Sequence, residues 1–129
     1  MSEIQRHGVT RRWSDAVIHQ GVAYFVEVAD DPGQDIRGQV TQVLAQIDER
    51  LKVVGSDRTR LLQVLIYLAD LADGTVLNSL WDAWFPEGHA PARACVQAGL
   101  APQYRVEMVI TAACESPAVV NCGSLSSPT

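Results

Sequence analysis

The sequence predicts an α+β fold: a mixed sheet in the order ββαβαββ, with two helices laid on one of its faces. Three patterns predict it. Two short β-rich apolar runs, residues 13–19 and 22–28, flank the dipeptide Gln20-Gly21. Ile36, Val40, Val43, Leu44, Ile47, Leu51 and Val54 recur at three- and four-residue steps, the period of a helix with one buried side. Val106, Met108, Ile110 and Ala112 alternate with other residues, as a strand with one apolar face does. Helical and extended patterns alternate along the chain while the hairpin is local, so the sheet is mixed rather than purely parallel.

Residues 1–12 read as a polar lead-in ending in Arg11-Arg12. The Gln20-Gly21 turn closes a β-hairpin, since glycine supplies the positive φ such turns need. Asp30, Asp31 and Asp35 cluster ahead of the first helix, where the positive end of its dipole favours acids. That helix spans about residues 35–54, and Gly55 ends it. Its polar residues, among them Gln42, Asp48 and Glu49, fall largely off the apolar stripe, where solvent explains them. Residues 58–68 form a long strand, apolar on both faces in its later part. One face can take the helices; the other asks for a partner outside this short chain. A second helix spans about residues 75–84, capped by Asp73 or Thr75, with Leu77, Leu80, Trp81 and Trp84 as its stripe. Residues 93–98 and 104–113 are the last two strands. Residues 1–114 make a single domain, and residues 115–129, rich in Ser and Pro, a flexible tail.

A chain of 129 residues with 47% hydrophobic and 19% charged residues is sized for one soluble domain. The net charge of −5 gives nucleic acid no electrostatic foothold. No apolar run has membrane-spanning length, and the polar N-terminus lacks the core of a signal peptide, so a cytoplasmic protein is expected. The 3 cysteines and 3 histidines show neither disulfide nor metal-ligand spacing, so no metal is expected.

The stretch Gly88-His89-Ala90-Pro91-Ala92-Arg93-Ala94-Cys95-Val96 concentrates the chemistry. Arg93 stands where a Pro-bearing loop becomes an apolar strand, among small neighbours that leave room beside it. Its permanently charged planar fork suits a carboxylate; the alternative is a strand-end arginine reaching solvent or a surface acid. Glu107 lies on the strand face that turns apolar beyond it, either paired at the surface or serving a site. Trp81 and Trp84 fill the core or wall a pocket.

These residues resemble the reactive-intermediate deaminase family (RidA/YjgF, also called endoribonuclease L-PSP) over roughly residues 12–113. The resemblance rests on Pro91-Ala92-Arg93-Ala94-Cys95-Val96, on Val106-Glu107-Met108, and on the helix carrying Asn78, Trp81 and Trp84. Ser56-Asp57 and Tyr67-Leu68-Ala69-Asp70 agree with it. It implies a chorismate-mutase-like fold and a homotrimer with clefts between subunits. It also implies hydrolysis of reactive 2-enamine or 2-imino acids to 2-oxo acids and ammonia, without cofactor. By position, Arg93 would bind the substrate carboxylate and Glu107 would hold the attacking water. Cys95 would line the pocket through its backbone, Trp13 would form an aromatic wall in place of the family's tyrosine, and Asn78 would approach from the neighbouring subunit. The second strand, Tyr24-Phe25-Val26-Glu27-Val28, lacks the family's glycine, which brings the bulk of Phe25 and the charge of Glu27 toward the substrate. A binding module for small carboxylates on the same trimer is the alternative function.

Overall fold

A computed structural model of the chain describes residues 3–115. Its elements are β1 (Gln5–His7), β2 (Ala16–His19), β3 (Val22–Val28), α1 (Ile36–Val53), β4 (Leu61–Leu68), α2 (Gly74–Trp84), β5 (Ala92–Gln97) and β6 (Val106–Ala113). The six strands form one sheet in the order β1-β2-β3-β6-β4-β5. Only β4 and β5 pair in parallel; the other neighbours are antiparallel. The sheet is therefore mixed, with two helices, as the sequence indicates. Of the expected tail, residues 115–129, Glu115 is bonded to the domain through Gly55 O and Arg60, and residues 116–129 lie outside the described residues.

The hairpin forms where Gln20-Gly21 predicts it. Both turn residues have positive φ, 53° and 77°, the combination that matches the right-handed twist of the flanking strands. The helix α1 starts at Asp35, whose carboxylate accepts the Gly38 N–H at 2.8 Å. It ends in a Schellman motif: with Gly55 at φ 76°, the Gly55 N–H reaches Lys52 O and the Ser56 N–H reaches Leu51 O. Val40, Val43, Leu44, Ile47 and Leu51 are buried on its sheet side. They meet Val64, Ile66 and Leu68 from β4 and Val106, Met108, Ile110 and Ala112 from β6, all of them buried.

Four expectations need correction. Gln5–His7 is a strand, not a lead-in: it pairs with β2 at the sheet edge through main-chain bonds that need no apolar pattern. The strand expected from Trp13 starts at Ala16, because residues 10–13 close a turn in which the Thr10 hydroxyl accepts the Arg12 and Trp13 N–H groups. The strand expected from Arg58 starts at Leu61, because Arg58–Arg60 is a 3-10 turn capped by Asp57. Asp73 precedes α2 but makes no side-chain cap bond. A 3-10 turn, Leu71–Asp73, runs straight into the helix and leaves Asp73 at φ −74°, ψ −2°, whereas a cap needs extended geometry.

Candidate active site

The face of the sheet away from the helices is built from residues of one parity. Register sets Leu65 beside Val109 and Val109 beside Val26, and the next row runs Tyr67, Glu107, Val28. Tyr24 is 47% and Val26 52% exposed, so this face remains largely apolar and uncovered within the chain. Glu107 is half-buried in the middle of it. Its neighbours on this face are Tyr67, Val28 and Val109. Of its two readings the surface pairing is not seen: among the described residues no basic group lies within ion-pair distance of it.

Arg93 is placed differently. In the parallel ladder it stands beside Val64, and Cys95 beside Ile66. Both partners are buried under the helices, so Arg93 and Cys95 point to the helix side. The Arg93 guanidinium lies 5.3 Å from the centroid of the Trp81 ring, and Cys95 packs against the core. Arg93 too has no acidic partner among the described residues. Within one chain Arg93 and Glu107 therefore occupy opposite faces of the sheet, two strands apart, roughly 10 Å laterally. The chain alone does not bring them together.

The other expected site residues divide in the same way. Trp13 is 61% exposed, held out by the Thr10 turn, whose main-chain N–H donates to Trp13 O at 2.7 Å. It walls a recess of about 560 Å³ with Asp15, Val26, Glu27, Val28, Asp30 and Arg50. Val28 is the register partner of Glu107, so the recess ends where that carboxylate begins. Asn78 is exposed on α2. Phe25 departs from the expectation at the substrate: it is 4% exposed and part of the core, since the β3 alternation turns it toward the helices. Glu27 shares its parity and is 7% exposed. Its carboxylate accepts the Gln46 amide at 3.0 Å and lies 3.4 Å from the Arg50 guanidinium. The charge is compensated under α1 instead of being carried on the open face.

Sequence reading did not anticipate one polar cluster. Arg58 donates to both oxygens of Asp48 at 2.7 Å and to Trp84 O at 2.6 Å, while the Trp84 indole N–H reaches Asp48 at 3.2 Å. The Asp48 carboxylate raises the Arg58 pKa further. The groove beside it, about 300 Å³ between Leu44, Ala45, Leu80 and Trp84, holds neither Arg93 nor Glu107. Among the described residues no group of histidine, cysteine and carboxylate side chains could hold a metal ion, and no helix is long and apolar enough to cross a membrane.

The family model described as endoribonuclease L-PSP matches residues 3–114. The chain belongs to this family, the YjgF/Rid group. Among its members, the RutC family protein YoaB of Escherichia coli strain K12 is 44% identical over 111 residues, covering 85% of this chain and 97% of that protein. The crystal structure of NMB1025, a YjgF family protein from Neisseria meningitidis, superposes with a TM-score of 0.84 at 42% identity. It covers 88% of this chain and 97% of the other. A Rattus norvegicus protein named 2-iminobutanoate/2-iminopropanoate deaminase is 32% identical over 98 residues, 70% of this chain and 71% of that one.

Proposed function

We propose that the protein hydrolyses 2-imino acids, and the 2-enamine acids that tautomerise to them, giving 2-oxo acids and ammonia. The reaction would take place in a cleft between copies of the chain arranged as a trimer. One observation carries the proposal. Among the described residues Arg93 and Glu107 are a cation and a carboxylate without ion-pair partners, and they lie on opposite faces of one sheet. A site that uses both takes Arg93 from one protomer and Glu107 from the next. The uncovered apolar row of Tyr24, Val26, Val109 and Leu65 supports association through that face. The name of the rat relative supports the chemistry.

In this reading the Arg93 fork donates to the substrate carboxylate and fixes C2 beside the water that Glu107 holds. Water adds to C2 of the imine, and one of its protons reaches the nitrogen by way of Glu107, giving a carbinolamine; the hydroxyl proton then follows to the nitrogen through the same carboxylate as the C2–N bond breaks, so that ammonia leaves and C2–O becomes a carbonyl. The reaction needs no cofactor, only an oriented electrophile and a proton acceptor. Trp13, Val26 and Val28 wall the substrate side chain, and Asn78 and the Cys95 backbone border the carboxylate end. The contact of Glu27 with Arg50 offsets its charge, which supports turnover over the binding-module alternative.

Complementation tests the shared site. Arg93→Ala and Glu107→Gln proteins, each assayed for ammonia release from 2-iminobutanoate generated in place, should be nearly inactive. Co-refolded at equal amounts, about a quarter of the interfaces unite an intact Arg93 with an intact Glu107, and activity should return in proportion. A mixture as inactive as its parts, or wild-type rates equal to those of Arg93→Ala, overturns the reading.

A further inference from the structure

An aromatic cluster links the two arginines that touch α2. The Trp81 and Trp84 rings lie 5.9 Å apart, and Phe85 packs on both, at 4.7 Å and 4.9 Å. Arg58 caps the Trp84 end at 4.9 Å and Arg93 the Trp81 end at 5.3 Å. The two caps differ in one respect. Arg58 has its donors occupied by Asp48 and the Trp84 carbonyl. Among the described residues Arg93 has the ring and no carboxylate.

We propose that Trp81 is a positioning residue for Arg93: its buried indole face holds the guanidinium beside β5 with the N–H donors free to take a substrate carboxylate. The inference rests on the deaminase reading above. The physics is that of a cation over a π face. The ring attracts the guanidinium through its charge and takes up none of its donors by a carboxylate, so the five N–H groups stay available. An acid at that place would also hold the arginine, but it would occupy the fork that the substrate needs. Trp81 is only 5% exposed and is wedged by Trp84 and Phe85, so the platform is rigid. The attraction is stronger at such a desolvated ring than at an exposed one. A rigid platform removes rotamer freedom from a long side chain before the substrate arrives, and this strengthens ground-state binding of the carboxylate.

Steady-state kinetics with 2-iminobutanoate on the full chain tests this, using Trp81→Leu and Trp81→Phe beside the wild type. Removal of the π face should raise KM about fivefold in Trp81→Leu, with kcat within about twofold, because water activation at Glu107 is untouched. Trp81→Phe keeps a weaker face and should recover most of the lost affinity. It also serves as the reading if Trp81→Leu does not fold. A KM for the folded variants equal to that of the wild type overturns the platform role alone. A general fall in kcat with KM unchanged overturns it as well, since that is the mark of a disturbed core. A wild-type protein that releases no ammonia overturns the deaminase reading, and the platform role with it.

Discussion

Asp48 accepts both arms of the Arg58 guanidinium, Nε and Nη2 each at 2.7 Å, and its second oxygen also takes the indole N–H of Trp84. One carboxylate thus ties α1 to the turn before β4 and to the end of α2. Asp48→Ala leaves a half-buried guanidinium and an indole N–H without their acceptor. The two partners keep partial access to water, so the expected loss is about 1–2 kcal/mol. Denaturant titration at fixed protein concentration should show it as a lower midpoint with an unchanged slope. Asp48→Asn, which keeps one acceptor, should lose less.

Gln39 should matter more. It is fully buried; its amide donates toward Pro32 O, Gln34 O and Gln103 O, and its carbonyl accepts the Arg105 N–H at 2.8 Å. It joins the start of α1 to the segment entering β6. Gln39→Met conserves volume but strands these groups, and about 2–3 kcal/mol should be lost. Hydrogen exchange at the Arg105 amide should accelerate in the variant more than exchange at the amides inside β4. Uniform acceleration would mean that the clip acts on the whole fold.

The Asp57 carboxyl is held below its ordinary pKa by the Thr59 hydroxyl and then by the Thr59 N–H, which it accepts. A depressed folded-state pKa means that the contribution to stability is present above the unfolded value, near 3.9. It is lost as pH falls through the lower folded value. Thr59→Val removes the hydroxyl, so the Asp57 carboxyl should titrate at higher pH in carbon-13 NMR, and stability should begin to fall at a less acid pH. An Asp57 titration identical in the two proteins would contradict the assignment.

Arg93 and Glu107 should fail in different ways. Loss of the charge-assisted bonds of Arg93 costs about 1.5–3 kcal/mol, or roughly 10- to 150-fold in kcat/KM for Arg93→Ala. Part of that should appear in KM. Glu107→Gln keeps the shape but not the proton acceptor, so its loss should fall on kcat, by about 100-fold or more. Steady-state kinetics on both variants checks the split. Equal effects on the same parameter would argue against separate roles.

The sequence shows the fold well and the site less well, for a common reason. Periodicity reports which residues of an element share a side, so the α1 stripe and the β6 alternation were legible, and Gln20-Gly21 carried its own turn chemistry. Periodicity is silent on pairing partners. Gln5–His7 becomes a strand only because β2 offers an edge. Gln39 and Asp48 are polar helix residues, but contacts 64 and 10 positions away, to Gln103 and Arg58, turn them into clips. The relation of Arg93 to Glu107 depends on two strand registers, β4 with β5 and β4 with β6, and one residue of slip in either reverses it. Phe25 was misplaced by the same parity.

Among the described residues the strand β5 ends the sheet with one flank unpaired. Along it run main-chain donors and acceptors beside the small residues Ala92 and Ala94, the kind of rim onto which other sheets readily graft. The one charge on this rim, Arg93 near its start, repels its own kind, so stray copies would be kept from stacking into fibres before orderly assembly. The arginine assigned to substrate capture would thus also guard solubility. Arg93→Lys should therefore remain dispersed under conditions where Arg93→Ala clouds, whatever either variant retains of turnover.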